Sequence, residues 1–303
     1  MMKIDRERAL KRKKIIFGSM FVISSLLIMI AVSFSWFYNG KTASVSGITV
    51  DVTPADNLMV KFSSDTDWQK KISLNFPNIP MQPVSGDGKE FFTAVIGRNS
   101  ETEVKEVQGF EAIANTAEYG IFEADFSMVV ENQNYLRLAN TSYLTPSEGD
   151  IPYAYEGVDA GQICAAMRVA FMVKEEDEYR LRCIWIPNAQ TEITPNGEGG
   201  LTVNESGSVE ESYKFRSSAE EEPLLIETNG EHYGVTEVDG IRYVWGNLEE
   251  DLVICEMESN TPIELKLIIW LDGEDRECRN EMIGGQVVAR FDFTVDEKES
   301  DTE

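Results

Sequence analysis

The sequence predicts an all-β body of antiparallel strands packed as a β-sandwich, preceded by a single apolar N-terminal helix. Three observations predict this. Period-two alternation of apolar and polar residues recurs from residue 43 onward, which is typical of strands with one face in a core. Short polar connections separate these runs, as in antiparallel sheets packed face to face. One long uncharged apolar segment lies near the N-terminus.

The composition excludes some classes of protein. The 303 residues include 27 basic and 53 acidic side chains, a net charge of −26. Such a surface repels phosphate, so nucleic acid is not an expected partner. Because 42% of the residues are hydrophobic, the chain has enough apolar surface for a core and is not expected to be disordered.

The charge is unevenly distributed along the chain. Residues 1–14 carry seven basic and two acidic groups, residues 15–38 carry none, and residues 39–303 carry 20 basic and 51 acidic groups, a net of −31. A helix over residues 15–38 would be roughly 36 Å long, enough to cross a hydrocarbon core of about 30 Å. The positive-inside rule then places residues 1–14 in the cytoplasm and the body, residues 39–295, outside.

The apolar segment, residues 15–38, is predicted to remain as a single-pass anchor, since it is longer than the apolar run of about 7–15 residues in a signal peptide. Cleavage between Ser33 and Phe34 is the alternative, because Ala31 and Ser33 form a small-x-small site. Cleavage would make the protein secreted rather than membrane-bound.

Alternation and apolar content place ten strands in the body. They are 48–52, 58–62, 89–96, 121–130, 167–173, 179–185, 241–245, 252–256, 263–271 and 289–295. Strands 167–173 and 179–185 form a predicted hairpin, in which Arg168 and Lys174 lie on the polar face. A turn centred near Glu175 would set Cys183 opposite Arg168.

Three segments depart from this pattern. Residues 187–222, rich in Gly, Ser and Glu, are expected to be an irregular insertion in one sandwich, with a linker between two domains as the alternative. Residues 101–118 are the best candidate for a helix. The acidic tail, 296–303, is expected to be disordered.

The four cysteines all follow the apolar segment, a position in which an exported chain can form disulfides. Cys255 and Cys278 bracket strand 263–271 and are the candidate pair. Direct pairing of Cys164 with Cys183 is disfavoured by the hairpin register, and buried thiols are the alternative throughout. Zinc is disfavoured because no two cysteines stand two to four residues apart.

Candidate chemistry is sparse. The sole histidine, His232, stands between Glu231 and Tyr233 and is expected to be a surface or turn residue. The sequence contains no zinc-protease helix, nucleophile elbow or glycine-rich phosphate loop. We therefore expect no catalytic residues and no cofactor.

Weak candidates for calcium ligands follow strand 263–271. Asp272, Glu274 and Asp275 supply the oxygen ligands that calcium prefers, but their spacing does not match an EF-hand loop. A solvated turn is the alternative interpretation, and the sequence favours it.

Two segments carry a resemblance to a known family. The first runs from Ala31 through Trp36 and Phe37, then from Gly47 into the alternating strand; the second spans 269–285. They resemble camelysin/TasA-like exported proteins of Gram-positive bacteria. The resemblance implies a jelly-roll-like sandwich and, for some members, assembly into matrix fibres by donor-strand exchange.

The function predicted first is a non-enzymatic, surface-displayed or secreted structural protein of the matrix. Its partners would be further copies, joined when residues 34–52 add to a neighbouring sheet edge, or other exported surface proteins. The alternative is an anchored binding module, with Trp68, Tyr153 and Tyr155 as a sugar platform. An enzyme ranks third, and the sequence identifies no small-molecule ligand.

Overall fold

A computed structural model describes most of the body of the protein. The described residues are 49–54, 58–63, 65–75, 81–98, 105–146, 166–187, 192–195, 201–204, 212–275, 278 and 287–297. They belong to one compact unit that spans residues 41–303.

The described part of the chain is all-β, as predicted. The strands of its first half are β1 (Thr49–Pro54), β2 (Leu58–Phe62), β3 (Ile72–Asn75), β4 (Pro83–Gly86), β5 (Phe91–Arg98), β6 (Lys105–Ala112), β7 (Phe122–Val130), β8 (Asn134–Leu138) and β9 (Tyr143–Pro146). The later strands are β10 (Met167–Glu175), β11 (Glu178–Ile186), β12 (Glu192–Pro195), β13 (Leu201–Asn204), β14 (Ser212–Phe215), β15 (Leu224–Glu227), β16 (Gly234–Val238), β17 (Ile241–Trp245), β18 (Leu252–Met257), β19 (Ile263–Asp272) and β20 (Val287–Glu297). One 3-10 helix, Thr116–Tyr119, lies between β6 and β7.

Two large sheets organise these strands. Sheet A has the order β18-β8-β20-β1-β3, with β9 also paired to β20. Sheet B has the order β16-β17-β11-β10-β19-β4-β5-β6, with β7 and β2 attached through β19. The hairpins β12–β13 and β14–β15 form two separate two-stranded sheets.

Sheets A and B share one hydrophobic core, which we call the inner core. Its members include Leu136, Leu138, Phe291 and Phe293 of sheet A, and Val169, Phe171, Leu265 and Leu267 of sheet B. Phe171 meets Phe291 and Phe293 edge-on, with ring centroids 5.6 and 6.0 Å apart. Such aromatic pairs contribute about 0.5–1.5 kcal/mol each beyond the area they bury.

The opposite face of sheet B is also buried, against what we call the outer core. This core combines Ala170, Ile184, Ile268 and Trp270 of sheet B with Tyr213, Phe215 and Ile226 of the hairpin β14–β15. Burial on both faces explains the dense apolar end of β19, because neither face there needs polar residues.

Most strand pairs are antiparallel, as the sequence predicts, but three are parallel. β1 pairs with β20, β11 with β17, and β19 with β4 in parallel. The prediction of purely antiparallel sheets is therefore wrong at these positions. Local alternation reports that a strand exists, whereas its direction relative to a distant partner depends on the chain path between them.

All ten predicted strands are present, with bounds within a few residues. The predicted hairpin is also present, but its register differs from the prediction. The register shifts between Phe171 and Met172, so that Cys183 lies opposite Phe171 rather than Arg168. The extra residue is Arg182, and this bulge sends Leu181 to the outer core and Cys183 to the inner core.

Two further predictions need correction. Residues 105–112 form strand β6 rather than part of a helix. Residues 187–222 are not wholly irregular, because they contain β12, β13 and β14. β11, which precedes this segment, is a neighbour in sheet B of β17, which follows it after β15 and β16.

Several predictions fall on residues that the structure does not describe. These are the membrane segment 15–38, the cleavage site at Ser33 and Phe34, and residues 298–303 of the tail. Within the described part of the chain, no helix has the length and apolar character to cross a bilayer.

Candidate functional site

The acidic turn, residues 272–275, begins at the last residue of β19, and two of its three carboxylates are buried. Asp272 is 1% exposed and Asp275 is 6% exposed. Strand β4 holds the turn from one side, since Gly273 donates its N–H to the carbonyl oxygen of Val84 at 2.8 Å. Asp272 also caps its own turn by accepting the backbone N–H of Glu274 at 2.8 Å. The solvated turn favoured by the sequence is therefore wrong for these carboxylates.

Arg168 is the first partner of this turn. It lies at the start of β10, opposite Trp270 of β19, and is 1% exposed. Its Nη2 lies 2.5 Å from Oδ2 of Asp275, and its Nε lies 3.7 Å from Oδ2 of Asp272. Its Nη1 donates to the carbonyl oxygen of Met167 at 3.0 Å. The arginine predicted on a polar face is thus buried and ion-paired.

Arg216 is the second partner. It lies directly after β14 and holds both carboxylate oxygens of Glu274, through Nε at 2.9 Å and Nη2 at 3.1 Å. Its Nη1 donates to the carbonyl oxygen of Glu221 at 2.8 Å, and its guanidinium lies 3.8 Å from the ring centroid of Phe110. Two-point pairing of this kind is the strongest geometry for an arginine and a carboxylate.

Tyr213 of the hairpin β14–β15 contacts Arg168. Its ring lies 5.1 Å from the guanidinium carbon of Arg168, a cation–π distance. We call Arg168, Arg216, Asp272, Glu274 and Asp275 the charge cluster. The cluster joins β10, β19 and the hairpin at one end of the outer core.

The charge cluster carries two positive and three negative groups when all are ionised, a net of −1. Burial, partly offset by Arg168 and reinforced by Asp275, raises the pKa of Asp272 to about 7. Burial lowers the pKa of Arg168, but Asp275 and Asp272 outweigh this and raise it above its ordinary value. Arg168 therefore stays charged, and Asp272 is the group that exchanges a proton near neutral pH.

Three buried polar atoms at this site have no hydrogen-bond partner. They are Nε of Arg168, Oδ2 of Asp272 and Nε1 of Trp270. Buried polar groups are rarely left in this state, because each lost hydrogen bond costs about 1–3 kcal/mol. The cluster is consequently held in place by its packing and charge pairs at some cost in stability.

The geometry favours internal ion pairing over the predicted calcium binding. Arginines engage both oxygens of Glu274 and one oxygen of Asp275, whereas calcium takes six to eight oxygen ligands. Among the described residues, no group of three or more His, Cys, Asp or Glu side chains is arranged to hold a metal ion. Asp272, Glu274 and Asp275 stay weak candidates for calcium ligands, as the sequence gives them.

The disulfide between Cys255 and Cys278 stays a prediction. Cys255 and Cys278 are half-buried and pack against the inner core. Cys183 is fully buried within that core. Burial raises the pKa of the Cys255 thiol to about 12 and that of Cys183 further still, so neither is a reactive thiolate.

The remaining candidate residues do not converge on a site. His232 is exposed in the loop before β16, a surface position as predicted. Trp68 is half-buried, and Lys61 lies over its ring at 5.0 Å. Tyr153 and Tyr155 lie outside the described residues.

Sequence reasoning missed Arg168, Arg216 and Tyr213. One signal could have found the first: Arg168 follows Met167 and precedes Val169, in a run otherwise apolar through Val173. No local signal marks Arg216 or Tyr213, because their partners lie far away along the chain.

Comparisons with known proteins add no relatives. No protein-family model matches the chain, and searches of the curated proteins and of the solved structures found no match.

Proposed function

We propose that the chain is an exported, non-enzymatic surface protein whose body is a jelly-roll-like β-sandwich with a structural, matrix-associated role. Copies assemble by exchanging strand β1. The resemblance to camelysin/TasA-like proteins and the charge pattern of residues 1–38 support the export and the role. One structural observation supports the exchange: the position of β1 within sheet A.

Strand β1 lies between two strands that are distant in sequence. Val52 is paired in parallel with Phe291 of β20 and antiparallel with Ile72 of β3. Without β1, the facing edges of β20 and β3 would have unpaired backbone groups, which a strand from another copy can satisfy. Only residues 55–57 separate β1 from β2, which pairs with β7 in sheet B. β1 is also the first strand that the structure describes, so no earlier described strand would have to move with it.

Cross-linking between two different variants tests the exchange. Asp51 and Arg290 are register partners across β1 and β20, so we would make Asp51→Cys and Arg290→Cys in separate chains whose native cysteines are replaced by alanine. After co-assembly and oxidation, exchange predicts a disulfide between the two chains. If each chain retains its own β1, no disulfide forms between chains. A chain that carries both Asp51→Cys and Arg290→Cys then forms a disulfide only within itself.

The matched control uses Thr93 and Glu111, register partners in the hairpin β5–β6. Cysteines at these positions should bond only within a chain. Cross-links between chains from the control pair would indicate collision rather than exchange. Absence of cross-links from the β1 pair, together with a chain that stays monomeric, would favour the anchored binding module.

A further inference from the structure

We propose that the hairpin β14–β15 is a lid over the outer face of sheet B, and that the Arg216–Glu274 pair latches it. The lid opens as a unit while the inner core stays folded. The hairpin packs on the face of sheet B that is opposite to sheet A, so its opening does not depend on strand exchange by β1.

The hairpin is separate in its backbone pairing. Tyr213 pairs with Ile226 and Phe215 with Leu224, and neither strand pairs with any other described strand. A two-stranded hairpin alone is at best marginally stable in water. Its order must therefore come from side chains that dock it on sheet B.

Few side chains perform this docking. Tyr213, Phe215 and Ile226 are buried in the outer core, and the ring of Phe215 lies 4.8 Å from that of Tyr243. On the other side of the hairpin, Lys214 and Leu225 are exposed. The hairpin is thus a single layer, apolar beneath and open to solvent above.

The charge cluster latches one end of this layer. Arg216, at the end of β14, holds Glu274 through two hydrogen bonds, and Tyr213 lies over Arg168. Glu274 lies in the turn that follows β19, and Arg168 lies in β10 of sheet B. Breaking these contacts releases the hairpin without breaking a backbone ladder.

The lid closes over groups that gain from contact with water. Arg168, Trp270 and Asp272 each have a buried polar atom without a hydrogen-bond partner. Opening hydrates these atoms, and this gain offsets part of the lost apolar contact. The free energy of opening is therefore lower than that of unfolding the two large sheets.

The exit from the lid is a fixed pivot. Thr228 is fully buried directly after β15, and Asn229 and Gly230 adopt φ of 53° and 75°. The N–H of Glu231 donates to the carbonyl oxygen of Thr228 at 3.0 Å. This tight turn keeps the end of the hairpin attached while the strands before it move.

Hydrogen exchange of the full-length chain, read by mass spectrometry, tests the lid. We expect amides of 213–226 to exchange faster than those of 167–186. Glu274→Gln, which keeps the shape of the side chain and removes its charge, should speed exchange at 213–226 by roughly tenfold and leave 167–186 unchanged. Glu264→Gln, which weakens the Lys174–Glu264 pair between β10 and β19, is the matched control and should not affect 213–226.

Three results would overturn the proposal. The first is equal protection of 213–226 and 167–186 in the wild-type chain, which would mean that the hairpin opens only with the whole body. The second is a Glu274→Gln effect of the same size in both segments. The third is an effect on 213–226 that Glu264→Gln reproduces.

Discussion

Arg168 and Asp275 form an ion pair at 2.5 Å in which neither side chain is more than 1% exposed. The two residues are 107 positions apart along the chain. Their pairing fastens the start of β10 to the turn after β19. A charge pair this deeply buried has large desolvation costs, so removing one partner should matter far more than removing an exposed one.

Arg168→Met tests this directly. It leaves Asp275 and Asp272 buried without their cation, and we expect a loss of about 3–5 kcal/mol in the free energy of unfolding. Urea denaturation at pH 7 measures it. Arg180→Met is the control, because Arg180 is exposed in its pair with Glu175 and should cost less than about 1 kcal/mol. Equal losses in the two variants would contradict the burial argument.

Asp272→Asn tests the proton exchange at the charge cluster. The folded pKa of Asp272, about 7, lies above its ordinary value of 3.8, so the folded state holds the proton more tightly than the unfolded chain. This tighter proton binding stabilises the folded state fully below about pH 4, and the stabilisation is lost as the pH rises to about 7. Asn keeps the acceptor for Glu274 and removes the charge, and should therefore stabilise the protein by up to about 4 kcal/mol at pH 8. Denaturation midpoints of the wild-type chain and of Asp272→Asn, measured at pH 5 and pH 8, would show this. If the midpoint changes between pH 5 and pH 8 by the same amount in both proteins, the prediction is refuted.

Gly246→Ala tests a close approach beside β17. Gly246 has φ of +82°, and a Cβ there would overlap the carbonyl oxygen of His232. We expect a loss of about 3 kcal/mol by thermal or chemical denaturation. Gly240→Ala isolates the backbone term, because Gly240 has φ of +76° with open space around it, and it should cost about 1 kcal/mol. Similar losses would show that the overlap relaxes without cost.

Asp251→Ala tests a contact that connects the residue before β18 to the loop after β8 and to β20. Asp251 accepts the backbone N–H of Asn140 at 2.8 Å and the hydroxyl of Thr294 at 3.0 Å. The loss of both acceptors should cost about 1–3 kcal/mol. Glu250→Ala, at the adjacent exposed position, should be close to neutral. A neutral Asp251→Ala would mean that water replaces the carboxylate.

Thiol labelling tests the state of the cysteines. Because burial raises the pKa of Cys255 to about 12, iodoacetamide at pH 8 should leave it unmodified in the folded protein and label it rapidly in urea. Intact mass before and after reduction tests the Cys255–Cys278 disulfide predicted from the sequence. A mass increase of about 2 Da on reduction, with Cys255 unlabelled in urea before it, would establish a disulfide involving Cys255.

The long strands were predictable because alternation is a local property. β10, β19 and β20 each present several apolar residues at every second position, and no partner needs to be known to see that pattern. Strands of four residues, such as β3, β4 and β14, are too short to show a period. They form because neighbouring strands supply their hydrogen bonds.

The charge cluster was only half predictable. Asp272, Glu274 and Asp275 stand together in the sequence, which indicates a solvated turn or a weak calcium site. Their true partners, Arg168 and Arg216, come from other strands, and no local pattern connects them to the turn.

By itself, the sequence determined where the long strands lie, that the body is all-β, and that its charge is strongly acidic. Only the tertiary structure decided that sheet B is buried on both faces, that three strand pairs are parallel, and that Arg168 is an interior residue. The physical reason is that alternation records one covered face, whereas covering the second face depends on the hairpin β14–β15, which arrives from a distant part of the chain. Where that hairpin docks, an arginine that the pattern assigns to solvent becomes the counter-ion of a buried turn.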